Sequence, residues 1–366
     1  MKRPDALVIG GGPAGAVAAM RLARAGLHTH LVERCAEGHD PVCGGFVSAD
    51  ALNLLRTAGI DADALGGHPV HRMRFLVGER TLEAALPFPA VGLSRRRLDA
   101  TLIDGARNAG AVVQFGCGAR SLIGARTIGF SDGTAIAAEA IVLATGKLNL
   151  RGVARPGSPT RGSAKVALRM ALQPGPACAM QMDGTIELHL FTDGYAGLVL
   201  QEDGALNLCL SVGVDRLRAA GGSPDKLVDM LGREASLLRQ RMAQGRPIGG
   251  WASIAQIPYG WRARDTVPGL FRVGDQAAVI ASLAGDGIAI ALASAMAASD
   301  ALLQGGPAAA PAYQRDFARR ARRPLAFAEM LRAVAERPAW ARPISHLLSL
   351  RPGMLALGAT ATRIAA

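Results

Sequence analysis

The sequence has few lysines, few aromatic residues and no paired cysteines. Lysine occurs only at positions 2, 147, 165 and 226 among 41 basic residues, and aromatic residues make up 4% of the 366 positions. Because bases stack on aromatic side chains in single-strand binding sites, this shortage argues against a nucleic-acid-binding protein. The five cysteines, at positions 35, 43, 117, 178 and 209, form neither a disulfide framework nor a CxxC pair. We therefore expect a protein of the reducing cytoplasm.

Apolar residues and glycine are abundant instead. A hydrophobic share of 50% and 45 glycines exclude a disordered chain, and the length favours two or three intertwined domains. Of the net charge of +12, a share of +7 lies beyond residue 310, in a segment that contains ten arginines and three acidic residues. Helical apolar spacing at Phe317, Leu325, Phe327, Met330 and Leu331 predicts C-terminal helices that pack across the rest of the chain with a solvated basic face. A basic surface for anionic lipid, an acidic carrier protein or a redox partner is the alternative.

Two stretches resemble membrane signals. Lys2 and Arg3 precede an apolar run, but Asp5 and a glycine cluster interrupt the pattern of a secretory signal. Residues 276–303 exceed the about 20 residues that span a bilayer, yet Asp286 lies within them. We interpret both stretches as core elements of a protein without a transmembrane segment.

The N-terminus has the order of a dinucleotide site. Residues 5–9 (DALVI) predict a buried strand, residues 10–15 (GGGPAG) a glycine turn, and residues 16–25 a helix, followed by a second strand that ends at Glu33. Gly10 permits the tight turn, Gly12 lets the backbone approach a pyrophosphate, and Gly15 allows close helix packing. The helix N-terminus attracts the phosphates, and Glu33 accepts hydrogen bonds from a ribose. This motif alone does not decide between NAD and FAD.

A distant motif resolves that choice. Residues 270–275 (LFRVGD) form a short strand that ends in Gly-Asp, and residues 282–292 (SLAGDGIAIAL) follow. Here the sequence resembles the FAD-dependent oxidoreductases of the para-hydroxybenzoate hydroxylase and geranylgeranyl reductase superfamily. The resemblance implies that Asp275 binds the ribityl chain and that Gly285, Asp286 and Gly287 lie beside the isoalloxazine.

Three further segments extend the resemblance. Residues 43–48 (CGGFVS) match a Cys-Gly-Gly loop near the flavin, residues 95–99 (RRRLD) match a helix whose arginine approaches the cofactor, and residues 141–146 (IVLATG) match a strand beside the dinucleotide. The resemblance implies an FAD site made of Gly10, Gly12, Pro13, Ala14, Gly15, Glu33, Arg34, Cys43, Gly44, Gly45, Arg95, Thr145, Gly146, Gly274, Asp275, Gly285, Asp286, Gly287 and Ile288, with no metal.

The sequence also departs from the family. NADPH-dependent hydroxylases have Asp-Gly after that strand, whereas this chain has Thr145, Gly146 and Lys147, and the usual proline after Gly-Asp is missing near Ala281. These departures argue against direct use of NADPH, so we expect NAD(P)H to bind at most transiently as electron donor. A separate flavin reductase is the alternative source of electrons. Flavin halogenases carry Trp-x-Trp-x-Ile-Pro, but WASIAQIP contains only Trp251, so we do not expect halogenation.

The predicted fold class is α/β. It combines a Rossmann-like FAD-binding domain of the glutathione-reductase type (1–65, 93–151 and 263–305) with an antiparallel substrate domain (66–92 and 152–262) and a basic helical segment (306–366). Strands at 185–191, 197–201 and 206–214 are joined by turns, and they present Ile186, Leu188 and Leu190 on one face and Glu187 and His189 on the other.

No residue is a clear catalyst. His189 titrates near neutrality, Tyr259 precedes the returning flavin strand, and Cys43 lies in the Cys-Gly-Gly loop, so these three are the candidates. We expect a monooxygenase that hydroxylates a hydrophobic aromatic or polyketide-like molecule of secondary metabolism. The alternative is a flavin-dependent reductase or dehydrogenase of C=C bonds, similar to geranylgeranyl reductase. Neither the substrate nor the oligomeric state follows from the sequence.

Overall fold

A parallel sheet organises the first part of the chain. The computed structural model describes residues 3–124, 126–153, 155, 164–340 and 363. The five strands of this sheet lie in the order β16-β10-β1-β2-β6 and pair in parallel. They are β1 (Ala6–Ile9), β2 (Thr29–Val32), β6 (Val112–Gln114), β10 (Ala140–Leu143) and β16 (Leu270–Arg272). β1, β2 and β10 are buried throughout, as expected for parallel strands covered on both faces.

The first strand turns sharply into helix α1 (Pro13–Arg24). Gly10 has a φ of +109°, and a Cβ added at Gly15 would lie 1.8 Å from the carbonyl oxygen of Gly10. The turn can therefore form only with glycine at these two positions. Pro13 begins the helix, where its missing N–H costs nothing, and Gly26 follows the helix with a φ of +88°.

A second, larger sheet carries the rest of the strands that shape the site. Its eight strands lie in the order β15-β11-β14-β13-β12-β4-β5-β3. They are β3 (Phe46–Val47), β4 (His68–Val77), β5 (Arg80–Gly92), β11 (Lys165–Pro174), β12 (Thr185–Phe191), β13 (Gly194–Leu200), β14 (Leu206–Gly213) and β15 (Gly245–Ala255). All neighbours in it pair antiparallel except β12 and β4, which are parallel. The chain thus combines a parallel and a mainly antiparallel sheet, which confirms the predicted α/β class.

Helices and one small sheet complete the described residues. The small sheet holds β7 (Ala119–Ile123), β8 (Thr127–Phe130) and β9 (Ala135–Ala137). The remaining helices are α2 (Ala49–Thr57), α3 (Arg95–Asn108), α4 (Pro176–Met182), α5 (Val214–Ala219), α6 (Pro224–Leu231), α7 (Ser236–Ala243), α8 (Gly287–Gly305), α9 (Ala310–Arg320) and α10 (Arg322–Ala335).

Two features of the strands differ from the sequence prediction: where one strand begins, and which sheet one segment joins. The strand predicted at 197–201 begins earlier, at Gly194, because the chain turns at Asp193, which adopts a φ of +58°. The Cys-Gly-Gly segment contributes β3, which pairs with β5 in the second sheet although its sequence position lies in the predicted FAD-binding domain. The two sheets are therefore linked at the segment expected near the flavin.

The long apolar stretch after residue 276 becomes the core helix α8. Among the residues that the structure describes, one helical stretch is long and apolar enough to cross a membrane: Gly287–Arg320, with a mean hydropathy of 1.4 and 56% of its most apolar window buried. α8 packs against α1, which accounts for its apolar composition. Of the arginine-rich tail, Arg342 and Arg351 lie outside the described residues.

Candidate active site

One large cavity joins the two sheets. Its volume is about 1200 Å³, which exceeds the roughly 300–1,000 Å³ of an ordinary small-molecule pocket. One end is lined by the glycine turn after β1, the end of β2 and the ends of β10 and β16. The other end is lined by apolar residues of β4, β5, β12 and α10. The cavity therefore has room for a dinucleotide and a second molecule.

The first end brings together the residues predicted from widely separated motifs. Of the nineteen predicted cofactor residues, all but Gly15 line this cavity, and Gly15 packs against the Gly10 carbonyl as expected. The N-terminus of α1 follows Gly12 and has no side-chain cap, so its N–H groups are available to an anion. The shape and the donors at this turn suit a pyrophosphate.

Glu33 stands at the end of β2 beside this turn. Its carboxylate accepts hydrogen bonds from the Gly11 N–H at 2.7 Å and the Cys35 N–H at 2.9 Å. These two bonds hold the side chain over the glycine turn, where ionised carboxylate oxygens still have lone pairs for a ribose. The geometry agrees with the position expected for Glu33.

Arg95 reaches the glycine turn from the opposite side. It is the first residue of α3, whose N-cap Ser94 accepts a hydrogen bond from the Arg97 N–H at 3.1 Å. Its guanidinium donates to both oxygens of Asp99, at 2.8 and 2.7 Å, and a Cβ added at Gly12 would lie 3.1 Å from its Nη2. Asp99 thus fixes the arginine beside the turn, which supports Arg95 as the cofactor-facing arginine of its motif.

The Gly-Asp turn after β16 completes this end of the cavity. Gly274 has a φ of +60°, and its N–H donates to the Ser294 hydroxyl of α8 at 2.7 Å. Asp275 lines the cavity, and one of its oxygens lies 3.1 Å from the Lys147 ammonium. Lys147 is a cavity residue that the family resemblance did not predict.

The start of α8 also lines the cavity. Gly285 has a φ of +76°, a buried Asp286 follows, and α8 begins at Gly287 without a side-chain cap from Asp286. A Cβ added at Gly287 would have no atom within 4 Å. A flat ring system can therefore approach the positive end of this helix closely.

The comparisons with known proteins agree with this geometry. Residues 3–127 match the family model described as FAD binding domain. This part of the chain is similar to an FAD-binding domain. No curated protein matches the sequence. The residues of the glycine turn, Glu33, Arg95 and Asp275 would hold the FAD.

Solved structures share the fold over nearly the whole chain. The flavin-dependent brominase Bmp2 has a TM-score of 0.79 at 17% identity, covering 99% of this chain and 95% of that chain. PqsL of P. aeruginosa, solved with 2-aminobenzoylacetate, has 0.69 at 16%, covering 93% and 98%. A geranylgeranyl bacteriochlorophyll reductase-like protein from Thermoplasma acidophilum has 0.69 at 20%, covering 100% and 94%. At these identities the likeness shows the fold alone.

The second end of the cavity is an apolar chamber beyond the FAD-binding residues. As predicted, Ile186, Leu188 and Leu190 of β12 face it. The helix α10 closes part of it with Phe327, Met330 and Leu331. Leu325 of the same helix packs in the core with α1 and α8, as expected for the C-terminal helices. The apolar residues of the chamber are Met73, Phe75, Val77, Leu82, Leu86, Phe88, Ile186, Leu188, Leu190, Phe327, Met330, Leu331, Val334 and Ala335.

One polar side chain of the chamber is Tyr195, on β13. It is 4% exposed and lines the cavity, and its hydroxyl has no hydrogen-bond partner among the described residues. The hydroxyls of Tyr259 and Ser282 bond to each other at 2.9 Å and lie close enough to the Tyr195 hydroxyl to influence its pKa. Burial raises the pKa of Tyr195 well above its ordinary value, so the group stays protonated. The sequence did not single out this residue because it follows a turn rather than a recognisable motif.

The three catalytic candidates occupy different places. His189 does not line the cavity; it is buried on the opposite face of β12, with its Nε2 3.2 Å from Glu187 Oε2, so the geometry gives no support to a general base there. Tyr259 does not line the cavity, but its hydroxyl lies 3.3 Å from that of Ser211 and 2.9 Å from that of Ser282, which both do. Cys43 lines the cavity, and its carbonyl accepts a hydrogen bond from Asn207 at 3.1 Å.

Proposed function

We propose that this protein is an FAD-dependent monooxygenase that hydroxylates a hydrophobic aromatic molecule bearing a free hydroxyl group. Bound FAD, once reduced, would supply two electrons and activate molecular oxygen. The chain's own residues bind the substrate in the apolar chamber, orient it against the start of α8 and keep bulk water away.

The observation that carries this proposal is the buried Tyr195 hydroxyl of the apolar chamber, which makes no hydrogen bond within normal distance among the described residues. A buried hydroxyl without a partner costs about 1–3 kcal/mol, so its presence in an apolar wall favours a ligand that satisfies it. A phenol oxygen can accept from Tyr195, and the same oxygen activates its own ring toward an electrophile. An unsubstituted hydrocarbon chain would leave Tyr195 unpaired.

The alternative is a flavin-dependent reductase of C=C bonds. The Cys-Gly-Gly loop, which resembles that of geranylgeranyl reductases, supports it, and the apolar lining of the chamber suits an isoprenoid chain. The two reactions differ in their use of oxygen. Hydroxylation consumes one O₂ for each product molecule, whereas reduction of a C=C bond proceeds without oxygen.

The test supplies chemically reduced FAD to the protein with a panel of alkylphenols, their methyl ethers and isoprenoid alkenes. The proposal predicts oxygen-dependent formation of hydroxylated product with phenols only; product is the readout because free reduced FAD also consumes oxygen by itself. Saturated product formed from an alkene under anaerobic conditions would support the reductase and contradict the proposal. Reduced FAD as donor makes the outcome independent of NADPH.

A variant tests the role of Tyr195 directly. In Y195F the phenol loses its hydrogen-bond donor, and we expect the KM for the phenol to rise about 5- to 160-fold, as for loss of a hydrogen bond worth about 1–3 kcal/mol. Binding of the methyl ethers should change much less. The control is Y313F, whose hydroxyl bonds to the carbonyls of Arg272 and Ser294 outside the cavity and should leave KM unchanged. Equal KM values for phenols in wild type and Y195F would exclude Tyr195 as the recognition group.

A further inference from the structure

Lys147 places a positive charge inside the flavin end of the cavity. It lines the cavity with a side chain that is 20% exposed, and its Nζ lies 3.1 Å from Asp275 Oδ2. It is one of four lysines in the chain. Lys147 stands where NADPH-dependent relatives continue from Asp-Gly, so the departure noted in the sequence coincides with this ion pair.

A clamp of two buried side chains holds the Lys147 loop against the Gly-Asp turn. Gln276 Nε2 donates to the carbonyls of Gly146 at 2.9 Å and Leu148 at 2.7 Å. Arg155 Nη1 donates to the carbonyls of Gly146 at 3.2 Å and Asp275 at 2.9 Å, and its Nη2 donates to the carbonyl of Lys147. Both side chains are under 10% exposed. The contact between Lys147 and Asp275 is therefore built by the fold.

The neighbours of Lys147 place it toward the flavin ring. Besides Asp275, Tyr259 and Cys43 lie close enough to the Lys147 ammonium to contribute to the rise in its pKa. Cys43 lies in the loop expected near the flavin, and Tyr259 bonds to Ser282 at the start of the segment before α8. Glu33, at the adenosine end, is not among these neighbours.

We propose that Lys147 is the counter-ion of Asp275 in the flavin site and that it sets the preference of this site for reduced over oxidised FAD. Two-electron reduction of a flavin with uptake of one proton adds one negative charge to the ring. Without Lys147, the Asp275 carboxylate would repel that charge at close range in a partly desolvated cavity. The inference rests on FAD binding alone and does not depend on which reaction follows.

The test compares midpoint potentials of the FAD-loaded variants K147Q and K147R with wild type. K147Q keeps a hydrogen-bond donor toward Asp275 but removes the positive charge. We therefore expect the binding of reduced FAD to be weakened about tenfold more than the binding of oxidised FAD. A tenfold preference corresponds to a potential about 30 mV lower. K147R should stay near wild type. The matched control is K226Q, which changes an exposed lysine on α6 outside the cavity.

Binding of oxidised FAD to each apoprotein, measured by fluorescence titration, gives a second readout. Equal weakening of both flavin states by K147Q would leave the potential unchanged and would overturn the proposal, as would the same shift in K226Q. D275N provides a test of opposite sign, because removal of the carboxylate should raise the potential. If K147Q does not fold, D275N decides alone, and an unchanged or lower potential in it contradicts the proposal.

Discussion

Replacement of Glu187 by glutamine should destabilise the second sheet severely. Glu187 is fully buried, and its Oε1 accepts from Arg74 Nη1 at 2.6 Å and Arg241 Nη2 at 2.9 Å. Its Oε2 accepts from Arg241 Nε at 3.1 Å and lies 3.2 Å from His189 Nε2. In E187Q, the amide N–H₂ faces guanidinium donors and a buried Arg241 loses its counter-ion.

The size of the effect follows from this burial. Removing one partner of a buried ion pair costs about 3–5 kcal/mol, because the other charge stays desolvated. The matched control is E83Q, since Glu83 also pairs with Arg74, at 2.8 Å, but its side chain is 41% exposed. An exposed pair contributes about 0–1 kcal/mol, so E83Q should change the stability little.

Urea denaturation of wild type, E187Q and E83Q at pH 7 provides the measurement, with an unchanged m value as the check that the transitions are comparable.

Burial raises the pKa of Glu187, but hydrogen bonds from His189 and Arg241 lower it by more, to below its ordinary range. The stability that its charge contributes is therefore complete above about pH 4.3 and is lost as the pH falls below that value. The gap between wild type and E187Q should narrow in acid. Equal losses in E187Q and E83Q would refute this reasoning.

Two further predictions concern the cofactor site and the chamber. G15A should abolish FAD binding in a fluorescence titration, because its Cβ would lie 1.8 Å from the Gly10 carbonyl oxygen, whereas G250A, at a glycine with open space around it, should bind FAD normally. K165M should speed proteolytic cleavage in α10 several-fold, because buried Lys165 bonds to the Asp193 carbonyl at 3.1 Å and pairs with Glu336, at the end of α10, at 3.0 Å; K226M should match wild type.

The cofactor end of the site could be predicted because its signals are local. The turn after β1 needs glycine for steric reasons, so its glycines are visible in the sequence itself. Glu33 and Asp275 each follow a short apolar strand. The structure brings these separate segments to one cavity, in agreement with the family resemblance. The alternation along β12 likewise separated Ile186 and Leu188 from Glu187 and His189.

The remaining features depend on contacts between distant segments. The alternation in β12 does not reveal that Arg74 and Arg241 meet Glu187, so His189 was open to interpretation as a base. Arg155 and Gln276 act through backbone carbonyls of another loop, which no spacing rule detects. The sequence of α10 does not distinguish residues that pack in the core from residues that line the chamber, because both are apolar.

Single-turnover hydroxylation under ¹⁸O₂ tests the central claim most directly. FAD-loaded protein is chemically reduced under anaerobic conditions in the presence of a phenol that the panel identifies as substrate. It is then mixed with ¹⁸O₂. The account predicts one ¹⁸O atom in each product molecule and no product without oxygen. Product that lacks ¹⁸O, or that forms under anaerobic conditions, would contradict a monooxygenase.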